Sequence, residues 1–202
     1  CLDVVAVADV WLKESGVLLK QISAQLNKTA QESRSIVLFF IALHDLGKFD
    51  ARFQDFVPKI RTLLQGDDFT VEQDPIHYGH GSAGYKQFLG EFCDDFCDSE
   101  AMKAVAGHHG FCDVRLNYIE PDADEELIEL DQQARKEWLE TCLEFFELNE
   151  IPQVAEITML AGLCSVSDWI GSSFTDFTKD PTISLKHYYA KALNSSQYST
   201  NP

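Results

Sequence analysis

Apolar residues recur at intervals of three and four along almost the whole 202-residue chain, and this spacing restricts the fold more than any other feature. Val4, Val5, Ala8, Trp11 and Leu12 form one such stripe, and Ile36, Phe39, Phe40 and Leu43 a second. Leu127, Leu130, Trp138, Leu139, Cys142, Phe145 and Phe146 form a third, and Val154, Ile157, Leu160, Ala161 and Cys164 a fourth. A period near 3.6 gathers these residues on one face of an α-helix, and no hairpin signal or alternating strand pattern interrupts it. Breaks at Gly47, around Pro58, at residues 66–68, 74–81 and 107–110, and near Pro121, Pro152 and Pro181 predict about seven helices in an all-α bundle. The length suits one compact domain over residues 1–193, with the polar residues 194–202 expected to fray or to begin a linker.

Charge bears on what such a bundle can bind. Sixteen Lys and Arg against 33 Asp and Glu give −17, the reverse of the basic footprint of a self-sufficient nucleic-acid binder. Residues 91–150 hold eighteen acids and four bases, a net of −14, so the other 142 residues carry only −3. An acidic block of this kind reads as a solvated helix face or loop rather than a dedicated interaction surface. The longest apolar run, Ile36 to Leu43, is too short to span a bilayer, so no membrane association is expected and the location is read as cytoplasmic. The chain opens on Cys1 without a basic n-region or cleavage site, and residues upstream are expected. Six cysteines do not make a disulfide framework. Cys93, Cys97, Cys112, Cys142 and Cys164 read as small hydrophobes of a reduced protein, and the Cys93/Cys97 pair lacks the second pair a structural zinc site needs.

Five of the six histidines fall in three short segments, each at or beside an expected helix end. In "FFIALHDLGKF" an apolar helix runs into His44 and Asp45, is stopped by Gly47 and is followed by Lys48. A His-Asp dipeptide alone is weak, but two titratable groups at the apolar end of a buried helix need a compensating partner, and a divalent cation is one. "HYGHGSAGY" supplies His77 and His80 ahead of a helix, and "AVAGHHGF" supplies His108 and His109 between glycines. Neighbouring histidines within a helix point about 100° apart, so both reach one cluster only at a helix end. "LCSVSDWIGSS" adds Asp168, backed by Trp169. Each residue alone reads as a satisfied core group or a cap. Together they form a set of imidazoles and carboxylates without thiolate, which favours Mn, Fe, Co, Ni or Mg over structural zinc and suits a two-metal hydrolytic site.

The order His-Asp, His, His-His, Asp on a helical chain resembles the HD superfamily of metal-dependent phosphohydrolases. "CLDVVAVADVWL", "LFFIALHDLGKFDARFQ", "HGSAG", "VAGHHGF" and "LCSVSDWIGS" are similar to the HD nuclease domain of the CRISPR-associated helicase-nuclease of type I systems, most of all the type I-E branch, from Cys1 to about Phe174. The resemblance implies an HD-type all-α bundle that cuts single-stranded DNA with a metal-activated water. It also implies a superfamily 2 helicase as partner and recruitment by the RNA-guided Cascade complex. It makes His44, Asp45 and Asp168 ligands of one divalent ion, with Asp45 bridging to a second held by His80, His108 and His109, and Lys48 a contact to substrate phosphate. The family has a histidine immediately before the string that opens here with Cys1. His77 and His187 match no ligand and read as structural or surface residues.

Two other readings share these residues: an HD phosphohydrolase acting on nucleotides or cyclic nucleotides, and a regulatory module in which metal only stabilises the bundle. The acidity does not exclude a nuclease, because two dications would add four positive charges where the scissile phosphate sits. It does predict that this domain alone grips DNA weakly, and more weakly without metal.

Overall fold

The computed structural model describes residues 1–66, 78–93, 100–110, 124–173 and 183–199. In chain order these form α1 (Leu2–Glu14), α2 (Gly16–Leu26), α3 (Ala30–Ala42), a 3-10 turn (Leu46–Phe49), α4 (Ala51–Gln54), α5 (Pro58–Gln65), α6 (His80–Phe92), α7 (Glu100–Ala106), α8 (Glu125–Phe145), α9 (Leu160–Ser173) and α10 (Leu185–Ser199). The fold is all-α, and no strand occurs among the described residues. No helix among them is long and apolar enough to cross a membrane.

α3 is the axis of the bundle. From Ile36 to Ala42 every residue is buried, as expected of a helix that is apolar all round. It starts at a capping box in which Thr29 Oγ1 accepts from Glu32 N and Glu32 Oε2 accepts from Thr29 N at 2.9 Å. α1 packs on α3, α9 and α10, while α7 bridges α3, α6 and α9. Val5, Ala8 and Leu12 of α1 join Phe39, Phe40, Phe88, Met102, Ile157 and Leu160 in one apolar core. At its far end α3 is closed by Trp138 of α8, whose Nε1 donates to Ala42 O at 3.0 Å.

The ten α-helices among the described residues exceed the roughly seven expected, for local reasons. Apolar spacing runs through Ser15, but the Ser15 side chain accepts from Leu18 N at 3.3 Å and so separates α2 from α1. α4 and α5 are short turns opened by the Asp50 side chain and by Pro58. The boundary placed at residue 193 falls inside α10: Ser196 is buried, with its hydroxyl donating to Ala192 O, and Ala192 packs against Ala6. Trp11 and Leu130, members of the apolar stripes, are 40% and 43% exposed, and Ala161 also faces solvent. The acidic face reading holds for α8, where Glu125, Glu126, Glu129, Glu137, Glu140 and Glu144 are exposed, with Asp131 a buried exception. Cys93 is disulfide-bonded, which corrects the expectation of a fully reduced set, whereas Cys1, Cys142 and Cys164 are free. His187 is exposed; His77, Cys97, Cys112 and the breaks near Pro121 and Pro181 lie outside the described residues.

Candidate metal centre

Glycines bring the histidine-bearing segments together. A Cβ on Gly47, two residues after Asp45, would stand 2.0 Å from the carbonyl oxygen of His80, and one on Gly84 would stand 2.5 Å from Gly47 N. A Cβ on Gly81 would meet Ala106 O at 2.2 Å. Only glycine allows the turn after α3 to touch the start of α6, and the start of α6 to touch the end of α7. Tyr78 adds a clamp, its hydroxyl donating to Gly47 O at 2.7 Å. α7 ends at Ala106, so His108 and His109 sit in the turn just past it, which closes with Gly110 N donating to Gly107 O and Gly110 at φ +103°, a conformation that favours glycine.

Six candidate ligands converge there, from the turn after α3, the start of α6, the turn after α7, and the middle of α9. Asp45 is the hub. Its Oδ2 lies 3.1 Å from His44 Nε2 and 2.8 Å from Lys48 Nζ, and its Oδ1 lies 3.4 Å from His80 Nε2 and 3.9 Å from His108 Nε2. Asp168 approaches from α9 with Oδ1 3.7 Å from His44 Nε2. The ligating atoms of His80, His108 and His109 fall within 4.8 Å of one another, and those of Cys1, His44 and Asp45 do likewise. His44 and His108 are almost wholly buried, Asp45 and Asp168 nearly so, and His109 is exposed.

The imidazoles are oriented before anything binds. His44 Nδ1 donates to Ile41 O at 2.6 Å and His108 Nδ1 to Val105 O at 2.8 Å, which fixes the tautomer and turns each Nε2 lone pair into the cluster. His44 Nε2, His80 Nε2, His108 Nε2 and Asp45 Oδ1 are all buried without a hydrogen-bond partner. Four buried polar atoms without partners, clustered in a core, are costly unless a cation sits among them, so this donor set fits a divalent ion. Nitrogen and oxygen ligands in this mixture suit Mn, Fe, Co or Ni.

The electrostatics agree with that fit. Burial works against ionisation of Asp45, but His44, His80 and Lys48 overcome it and hold the carboxyl far below the ordinary range. The His44 imidazole and the Ser172 hydroxyl, which donates to Oδ1 at 2.8 Å, hold Asp168 down at about 2 against burial. Burial and the neighbouring His44 push His108 down to about 4, and burial and His80 lower His109, so both offer neutral nitrogens at neutral pH. Burial lowers His44, yet Asp168 and Asp45 outweigh it and the net shift is upward: the carboxylates that would draw a dication also draw a proton. Two residues at this site were not singled out from the sequence. Ser165 Oγ lies 2.6 Å from His108 O and joins α9 to the histidine turn, and Cys1 stands beside His44 and Asp45. The only signal for Cys1 was its place at the head of the family-like opening string.

Fold and site together define a helical domain built around a candidate divalent-cation centre of imidazoles and carboxylates. The Cas3, HD domain family matches residues 1–177, and the chain belongs to that family. It is 32% identical over 210 residues to the CRISPR-associated endonuclease/helicase Cas3 of Escherichia coli strain K12, covering 88% of this chain and 24% of that protein. The chain thus spans about a quarter of the length of that relative. Among solved structures it resembles T. fusca Cas3 with ATP, at TM-score 0.73 and 19% identity over 98% of this chain and 24% of that one. It also resembles the Thermus thermophilus cas3 HD domain in the presence of Ni2+, at TM-score 0.65 and 19% identity over 99% of this chain and 81% of that one.

Proposed function

We propose that this domain is a metal-dependent nuclease that hydrolyses phosphodiester bonds of single-stranded DNA during type I CRISPR interference. It works in the cytoplasm beside a superfamily 2 helicase and is brought to invading DNA by the RNA-guided Cascade complex. The observation that carries this reading is the convergence of unpartnered nitrogens and a carboxylate oxygen on Asp45, in a chain of the Cas3 HD family. His44, Asp45 and Asp168 would hold one ion, and Asp45, His80, His108 and His109 the second. When bound, such ions neutralise phosphate oxygens and make a water nucleophilic near neutral pH.

The protein's own part is positional and electrostatic. The Nδ1 bonds to Ile41 and Val105 keep two rings aimed without cost at the moment of reaction, and Ser172 keeps Asp168 ionised and aligned. Lys48, only partly exposed, carries its ammonium at the rim of the cluster, where a phosphate oxygen would meet it and developing negative charge would be offset. The net charge of −17 leaves the grip on a long strand to the helicase partner.

Asp45→Ala should abolish Mn2+- or Ni2+-dependent cleavage of a labelled single-stranded oligonucleotide, a loss of at least about a thousandfold. Undiminished cleavage would sink the assignment. Turnover of dNTPs or cyclic nucleotides with no cleavage of the oligonucleotide would replace it with the nucleotide phosphohydrolase reading.

A further inference from the structure

Phe53 of α4 is half-buried, yet it belongs to neither apolar cluster among the described residues. Its neighbours are at the candidate metal centre instead. The ring centroid lies 5.3 Å from that of His80, edge to face with the planes 68° apart, and Lys48 Nζ stands over the ring at 5.5 Å. Tyr78 and Phe56 pack on the same ring, with centroids at 6.4 and 5.7 Å.

Although α4 is only four residues long, hydrogen bonds fix where it holds this ring. At its start Ala51 N donates to Asp131 of α8, and the Asp50 carboxylate that caps it also accepts from Gln87 of α6 at 3.0 Å. Arg52 reaches back to Asp50 at 2.7 Å, and its guanidinium lies 4.9 Å from the ring of Tyr78, whose hydroxyl donates to Gly47 O. The Phe53 ring is therefore held in register with α6 and α8, and through Tyr78 with the turn that carries Asp45 and Lys48.

Two neighbours of different kinds draw Lys48. Asp45 Oδ2 attracts it by charge at 2.8 Å, and the Phe53 ring attracts it by its quadrupole. On the proposed ligand set Asp45 gives its oxygens to two ions, so its charge no longer holds the ammonium and the dications repel it. An aromatic face attracts an ammonium without competing for the ligand atoms.

We propose that Phe53 is a positioning residue: packed against His80, it keeps the Lys48 ammonium at the rim of the metal centre, ready for a substrate phosphate, once Asp45 is committed to the ions. The chemical half of this inference rests on the nuclease reading, and the placement of Lys48 does not.

Placement is tested by NMR on the metal-free full chain. The Lys48 ε-methylene protons, assigned by their loss in Lys48→Met, should lie upfield of those of the other lysines through the ring current and return to them in Phe53→Leu. Equal positions in wild type and Phe53→Leu overturn the proposal, whatever the cleavage result. The chemical half is tested in Mn2+ on a single-stranded oligonucleotide, with pentafluorophenylalanine in place of Phe53, which keeps the ring's shape and reverses its quadrupole. That variant and Phe53→Leu should each lower kcat roughly fivefold to tenfold with KM little changed, while Phe53→Tyr stays within about twofold of wild type. Mn2+ affinity of the fluorinated variant, measured by calorimetry, should match wild type. A fluorinated variant with wild-type kcat overturns the proposal, because a purely structural ring would tolerate the change; so does a fall in Mn2+ affinity as large as the fall in kcat, because the ring would then act through His80. Wild-type protein that cleaves no oligonucleotide overturns the nuclease reading and the chemical half with it, and the NMR comparison still decides the placement.

Discussion

Asp9 and Asp45 are both carboxylates buried in the helical core, and they are answered in opposite ways. Asp9 of α1 is fully closed by the chain: Arg34 of α3 grips both oxygens, Lys13 Nζ lies at 3.0 Å and the Tyr189 hydroxyl of α10 donates at 2.9 Å. Burial opposes its charge, and Arg34 and Lys13 more than make up for it, so its pKa is lowered. Asp45 has one amine, Lys48, on the rim side, while its other oxygen looks at imidazole nitrogens that themselves lack hydrogen-bond partners. A charge that serves the fold finds its counterion inside the sequence. The Asp45 carboxylate faces further lone pairs instead, an arrangement that fits a cation from outside the chain.

The largest expected effect separates the two. Asp9→Ala leaves Arg34 without its counterion and should destabilise the domain by about 3 kcal/mol in urea denaturation, while the added stability on titrating Mn2+ stays intact. Loss of the Mn2+ response in that variant would show that the two clusters are coupled and would break the comparison.

Asp131 sharpens it from an intermediate position. This buried carboxylate of α8 accepts from Ala51 N at 2.7 Å and from Gln65 but among the described residues has no counterion as close as Arg34 is to Asp9; burial raises its pKa to about 7, opposed by the Ala51 amide and reinforced by Asp50. A carboxyl whose folded pKa lies above its unfolded value gives stability that is full below about pH 4 and lost as pH rises through about 7. Stability measured between pH 4 and 8 should therefore carry a declining contribution that Asp131→Asn removes. An unchanged slope in that variant would contradict it.

The smallest effect is expected at Ser172→Ala, which removes one hydrogen bond to Asp168. It should cost about 1 kcal/mol or less in stability, and weaken Mn2+ affinity several-fold by calorimetry. An affinity equal to wild type would mean that Asp168 needs no support.

The contrast also explains what was legible in the sequence. His44 and Asp45 stood out because titratable groups at the end of an apolar helix are anomalous, and His108 and His109 because glycines bracket them. Asp9 gave no such signal: Lys13 at i+4 is an ordinary helix-surface pairing, its burying partners Arg34 and Tyr189 lie 25 and 180 residues away, and inside an apolar stripe an Asp looks like a solvent-facing position. The stripes are correct in period and uninformative in width, so they run on to Trp11 and Leu130, where the core stops short. Helix breaks made by a single side chain, as at Ser15, leave no mark in apolar spacing, and the polar composition of residues 194–199 hid a helix whose buried side is made of alanine and serine.

The glycine contacts under the site carry one more consequence. Where Gly47, Gly81 and Gly84 meet neighbouring backbone there is no side chain to compress or rotate, so the segments bearing Asp45, His80 and His108 are joined as a rigid frame with a tolerance below one methyl group. An ion bound among these segments would not be accommodated by sliding the helices. On the proposed ligand set, adjustment to its radius would fall to the side-chain torsions of Asp45, Asp168 and the exposed His109.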